Sequence, residues 1–142
     1  MFLIDNELFA CNIGDSRILL ISNNQPSQIS KDHHPESEID RIEQAGGFVE
    51  QTFDKNTKVF SGPMRVWNRA RTGPGLAMSR SLGDNYAHMI GVSEMPDIFN
   101  FYLSTQDQII VIGSDGIWEV LTNQDVTNIL LPFLDHASPD PL

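Results

Sequence analysis

Gln108-Ile109-Ile110-Val111-Ile112-Gly113-Ser114-Asp115-Gly116-Ile117-Trp118-Glu119 is the stretch whose reading decides the fold. The apolar run Ile109 to Ile112 is unbroken, which predicts a strand buried on both faces, since a half-exposed strand alternates. Gly113-Ser114-Asp115-Gly116 is turn chemistry that ends the strand and lifts a carboxylate out at its end. Glu119 follows four residues after Asp115. A helix beginning after Gly116 sets the two acids one turn apart, where they can converge on one point. Converging carboxylates suit a hard divalent cation, which prefers oxygen ligands. On this stretch alone the plainer reading is that Asp115 simply caps the helix, a common role for Asp.

Outward from that stretch, composition bounds the answer. The chain has 142 residues, 40% of them hydrophobic and 20% charged, as in an ordinary folded domain. A net charge of −10 argues against nucleic acid as a partner, because phosphate backbones select basic surfaces. The single cysteine, Cys11, excludes an intrachain disulfide framework and a thiolate zinc site, and its apolar neighbours predict a buried position. No apolar stretch reaches bilayer length, and Asp5 interrupts the apolar start, so no membrane span or secretory leader is expected. The expectation is a soluble, intracellular protein.

Toward the N-terminus, Phe2-Leu3-Ile4 and Leu8 to Cys11 flank Asp5-Asn6-Glu7 and predict a hairpin. A second pairing is expected between Asn12-Ile13 and Ile18 to Ile21, across Gly14-Asp15-Ser16-Arg17. That places Asp15 on a tight turn, either as a plain turn former or as a further functional acid. Ser27 to Ser30 predicts a short strand. Lys31-Asp32-His33-His34-Pro35-Glu36 introduces a helix, with Pro35 at its first position, Ile39, Ile42 and Ala45 on its apolar face, and Gly46-Gly47 at its stop. Asp32 and His33 are expected to hydrogen-bond loop backbone rather than bind metal.

Phe48 to Phe60 predicts a polar hairpin with Val49, Phe53 and Val59 facing inward. Arg65, Arg69, Arg71 and Arg80 are four of nine basic residues in an acidic chain, and 65–75 reads as an exposed loop able to meet an anion. A solvated loop with surface ion pairs is the alternative. Ile98 to Leu103 predicts a strand. Thr122 and Asp125 fit a capping box opening a helix through Leu134, which Pro132 should kink or end early. The tail 135–142 has no periodicity.

Four stretches now stand in a fixed order: Asn12 to Arg17; Asp32-His33-His34-Pro35 with Arg41 to Gly47; Leu76 to Asp84; and Ser114 to Glu119. Together they closely resemble the metal-dependent protein serine/threonine phosphatases of type 2C, also called PPM-type, over about residues 8–130. The resemblance implies an α+β fold, a sandwich of two antiparallel sheets flanked by helices, with two or more Mg²⁺ or Mn²⁺ ions and a phosphoprotein substrate. It assigns metal binding to Asp115, with Gly116 of its motif, and to Asp15 and Glu119. It likens about 35–80 to the flap beside the active site, which sets Arg80, Arg65, Arg69 and Arg71 near phosphate or substrate.

The pattern also departs from the family. Only eleven residues precede Asn12, so the family's upstream Asp-Gly-His-Gly-Gly segment, with its histidine acid, is not in this chain. Neither is the C-terminal Asp-Asn segment, and Glu119 replaces the usual Asp. The expectation is a partial phosphatase domain over 1–142, without its catalytic histidine and inactive as it stands. A partner chain, the missing segments or self-association should cover exposed sheet edges. The alternative is a catalytically dead phosphatase-like scaffold or subunit.

Overall fold

A computed structural model describes residues 1–134; the tail expected to be irregular lies outside them. In chain order the elements are strands β1 (Phe2–Ile4), β2 (Glu7–Asn12), β3 (Arg17–Ser22) and β4 (Gln25–Gln28), then a 3-10 turn (Pro35–Ser37) and helix α1 (Ile39–Gln44). Strands β5 (Gly47–Asp54), β6 (Val59–Asn68) and β7 (Pro74–Leu76) follow, then α2 (Asn85–His88), β8 (Asp97–Tyr102), β9 (Asp107–Gly113), α3 (Asp115–Trp118) and α4 (Asn123–Leu134). They form three three-stranded sheets, β1-β2-β8, β4-β3-β9 and β5-β6-β7, so the chain is α+β. Among the described residues no helix is long and apolar enough to cross a membrane.

The chain divides into two compact units. The first comprises residues 1–11, 16–31 and 98 onward and holds the first two sheets. Its hairpin β1-β2 pairs Phe2 with Phe9 and Ile4 with Glu7, as expected. β3 lies between β4 and β9, both antiparallel to it, with Leu19 opposite Val111 and Ile21 opposite Ile109. Leu19 and Ile21 form a core with Val126 of α4, ringed by Ile109, Val111, Trp118 and Leu130. Burying each such aliphatic side chain contributes roughly 1.5–3 kcal/mol.

Three expectations for this unit fail. β2 and β3 do not pair across the Gly14 turn: both edges of each strand are already taken, β2 by β1 and β8, β3 by β4 and β9. The turn therefore carries the chain from one sheet to another. β9 is not buried on both faces either. Ile18 and Leu20 of β3 are buried, but Ile112, paired with Ile18, is 56% exposed, so cover thins toward the edge strand. Cys11 is exposed, because Leu8, Ala10 and Asn12 take the inward phase of β2.

The second unit comprises 12–15 and 32–97. Ile42 of α1, Val66 of β6, Ala87 and Val92 form its core, with Val49, Leu76 and Ile90 packed against it. Gly47 is where β5 leaves α1: a Cβ there would strike the Ile90 carbonyl oxygen and the Ile42 side chain. Arg65 to Asn68 is not loop but the end of β6, since Val66 is fully buried and Phe48 pairs with Trp67. Phe53 and Val59 are exposed rather than inward; they sit beside the 55–58 turn that closes the hairpin, where the Phe53 and Phe60 rings meet at 4.9 Å.

Candidate functional site

In the first unit, β9 ends at Gly113, and α3 starts at Asp115, two residues earlier than the sequence suggested. Ser114 precedes the helix and makes no side-chain cap, so Asp115 stands in the first turn rather than at the cap position. Its Oδ1 accepts the Gly116 N–H at 2.8 Å, which fixes one oxygen and leaves the other open. The Glu119 N–H donates to the Asp115 carbonyl at 2.8 Å, so the two acids do stand one turn apart. Asp115, Gly116 and Glu119 are all exposed.

The Trp118 indole fixes this turn against the strand. Its Nε1–H donates to the Gly113 carbonyl at 2.7 Å, and the Arg17 guanidinium lies 5.0 Å from the ring centroid. Arg17 also donates to Asn123 Oδ1 at 2.6 Å, at the start of α4. The Arg of Gly-Asp-Ser-Arg thus braces the Asp-Gly-Ile-Trp segment, a role the sequence did not reveal because the two stand about a hundred residues apart.

In the second unit, Asp15 is half-buried on the turn after Gly14, and no hydrogen bond or ion pair engages its carboxylate among the described residues. The turn itself is held firmly. The Gly14 N–H donates to His33 Nδ1 at 3.1 Å, while the His33 N–H donates to the Gly14 carbonyl at 3.0 Å. His33 is fully buried and bonds Asp97 through Nε2 at 3.1 Å. The expectation that His33 serves loop backbone holds, with Asp97 as an addition.

Arg80 is tied into the same unit. Its NH2 meets Glu38 Oε1 at 2.6 Å and its NH1 meets Asp97 Oδ1 at 2.9 Å. Glu38 also accepts from Arg41 at 2.6 Å and from the Ser79 hydroxyl at 2.7 Å. Burial pushes the Glu38 carboxyl up, but hydrogen bonds from Arg80, Ser79 and Arg41 outweigh it and hold the group at about 2. The bond to His33, with the Arg80 charge, holds Asp97 below the usual carboxylate range despite its partial burial. Arg80 is raised by its hydrogen bond to Glu38. Sequence reasoning missed Glu38 and Asp97. Glu38 stood among several acids, and nothing local marked its pairing with Arg80 across 42 positions.

The other arginines divide. Arg65 donates to the Gly75 carbonyl at 2.7 Å. Arg71 pairs with Glu50 at 2.8 Å and lies over the Phe48 ring at 5.3 Å. Arg69 is exposed, and among the described residues no hydrogen bond or ion pair holds it. Arg69 and Arg71 border a groove of about 550 Å³ with Glu43, Gly47 and Phe48. Among the described residues no group of three or more His, Cys, Asp or Glu side chains gathers closely enough to hold a metal ion. The open oxygens of Asp115, Glu119 and Asp15 nevertheless fit a hard cation in kind.

The fold superposes on those of solved phosphatases. The serine-threonine phosphatase 2C from Toxoplasma gondii superposes with a TM-score of 0.77 at 23% identity, over 94% of this chain and 45% of that one. A phosphatase from a pathogenic strain of Toxoplasma gondii superposes with a TM-score of 0.68 at 32% identity, over 94% of this chain and 39% of that one. The Protein phosphatase 2C family profile matches residues 1–140, and the chain belongs to that family. It is 36% identical over 141 residues to Probable protein phosphatase 2C 12 of Oryza sativa subsp. japonica, covering 93% of this chain and 35% of that protein. It is 31% identical over 139 residues to Probable protein phosphatase 2C 61 of Arabidopsis thaliana, covering 93% and 41%. The chain therefore spans well under half the length of these relatives.

Proposed function

We propose that this chain is part of a metal-dependent protein serine/threonine phosphatase domain that hydrolyses phosphoserine and phosphothreonine, and that it turns over phosphoester poorly by itself. The observation that carries this is the Asp115-Gly116-Ile117-Trp118-Glu119 segment: two carboxylates one helical turn apart, braced by Trp118 and Arg17, with one Asp115 oxygen open. Asp115, with Gly116 of its motif, Glu119 and Asp15 would hold Mg²⁺ or Mn²⁺. When bound, such ions neutralise phosphoryl charge and lower the pKa of water. The chain's own residues orient and recognise. The Gly116 N–H fixes the Asp115 carboxylate, and the exposed Arg69, with Arg71 beside it on the flap-like 35–80 region, suits an anionic peptide. Arg80, with two edges of its guanidinium bonded to Glu38 and Asp97, secures that region rather than reaching out. Low turnover by the chain alone accords with its covering 35% and 41% of the length of its relatives, because a catalytic site that loses members loses orders of magnitude in rate.

Mn²⁺ binding by calorimetry, alongside hydrolysis of p-nitrophenyl phosphate, tests both halves. Binding weakened at least ~10-fold by Asp115→Asn, with turnover orders of magnitude below a full-length family member, is the expected result. Binding indifferent to Asp115→Asn would remove the metal assignment. Robust turnover would remove the claim of low intrinsic activity.

A further inference from the structure

We infer that His33 is a positioning residue: its Nδ1, by accepting the Gly14 N–H, sets the conformation in which the next residue, Asp15, offers its carboxylate to a divalent cation. The inference rests on the proposed role of Asp15 as a metal ligand. Its geometric basis lies within the second unit. His33 grips the Gly14 peptide from both sides, through Nδ1 to the N–H at 3.1 Å and through its own N–H to the carbonyl at 3.0 Å. Gly14 has φ +97°, a conformation that glycine adopts without strain and other residues rarely do.

A nitrogen that accepts from a backbone N–H carries no proton, so the ring proton sits on Nε2 and points at the Asp97 carboxylate, 3.1 Å away. Asp97 is itself held by Arg80. The His33 carbonyl accepts the Ser79 N–H at 2.7 Å, which anchors the residue from a third direction. The ring is fully buried, so water cannot substitute for either bond. This arrangement matches how a residue behind a metal ligand fixes that ligand's direction. A histidine serving packing alone would need neither a defined tautomer nor a bond to the peptide next to an unpartnered carboxylate.

The test uses the ¹⁵N-labelled 142-residue chain with Mn²⁺ as probe. Asn at position 33 retains an acceptor at the place of Nδ1, whereas Gln retains only the donor toward Asp97. In the wild type, His33 should show the Nε2–H tautomer, the Gly14 amide should exchange slowly, and Mn²⁺ should broaden the Asp15 amide. His33→Gln should speed Gly14 exchange and weaken the Mn²⁺ effect at Asp15 at least ~10-fold, with His33→Asn restoring both. His33→Gln binding Mn²⁺ at Asp15 like the wild type would overturn the positioning role and leave Asp15 a ligand. Absence of broadening at Asp15 in the wild type would overturn the ligand reading, and the positioning role with it. Should the variants not fold, the wild-type tautomer decides: a proton on Nδ1 is incompatible with the inference.

Discussion

Glu38 shows how one side chain can be hidden in a sequence and dominant in a fold. Three donors, Arg80, Arg41 and the Ser79 hydroxyl, converge on its carboxylate, which is 12% exposed. Its ordinary value of 4.5 falls to about 2 in the folded chain. A carboxyl depressed on folding contributes stability in full above its unfolded value and loses it as pH falls toward the folded one. Stability should therefore drain from about pH 4.5 to about pH 2, with this group contributing up to roughly 3 kcal/mol. In urea titrations, Glu38→Gln should be less stable than wild type at pH 7, and the gap should close across that window. A gap independent of pH would show that the ionised pair is not the cause. None of this is legible in the sequence: the motif around Arg80 is visible, and the resemblance sets it near phosphate or substrate, whereas the partners that hold it are separated from it along the chain. His33 was legible in part, since a loop histidine beside Asp32 and Pro35 has few uses other than bonding backbone.

Helix α4 was the most readable element, and the physical reason is that its information is local. The Asp125 N–H donates to the Thr122 hydroxyl at 3.1 Å and the Thr122 N–H donates to Asp125 Oδ2 at 2.9 Å, the reciprocal box the sequence suggested. Val126 and Leu130 meet β3 and β9 as helical spacing requires, and Pro132 lies inside the helix near its end. Thr122→Ala should lower unfolding free energy by about 1 kcal/mol, read from the urea midpoint at unchanged slope. A neutral effect would mean that the sheet alone orders the helix start. The strands were legible as strands, but their partners were not. Which edge β2 or β3 joins depends on elements as distant as β8 and β9, and no periodicity encodes that choice. The same limit hid the pairing of Arg65 to Asn68 with β5, where Val66 is fully buried.

At the scale of the molecule, the sheet β1-β2-β8 bears an apolar surface: Phe2 is 74% exposed, Ile98 79% and Tyr102 74%. Exposed apolar area of this kind favours association, while a net charge of −10 opposes it through mutual repulsion. Salt screens the second effect and not the first, so light scattering should show mass rising with concentration, more steeply at high ionic strength. Phe2→Lys with Ile98→Lys should abolish the rise; a monomer under all conditions would remove the expectation of a covering partner. The family was legible because four motifs stand in order, each a local stretch, whereas the division into units depends on the whole chain. That division has a practical corollary for anyone recombining relatives of this protein. Residues 32–97 enter the first unit between two of its own segments, but they also claim residues 12–15, which lie upstream of the insertion. A donor's insert grafted at positions 32 and 97 would thus meet a foreign Gly14-Asp15 turn, and its histidine would close on a peptide it was not shaped for. A faithful transplant has two pieces, and the smaller one, four residues long, carries the carboxylate.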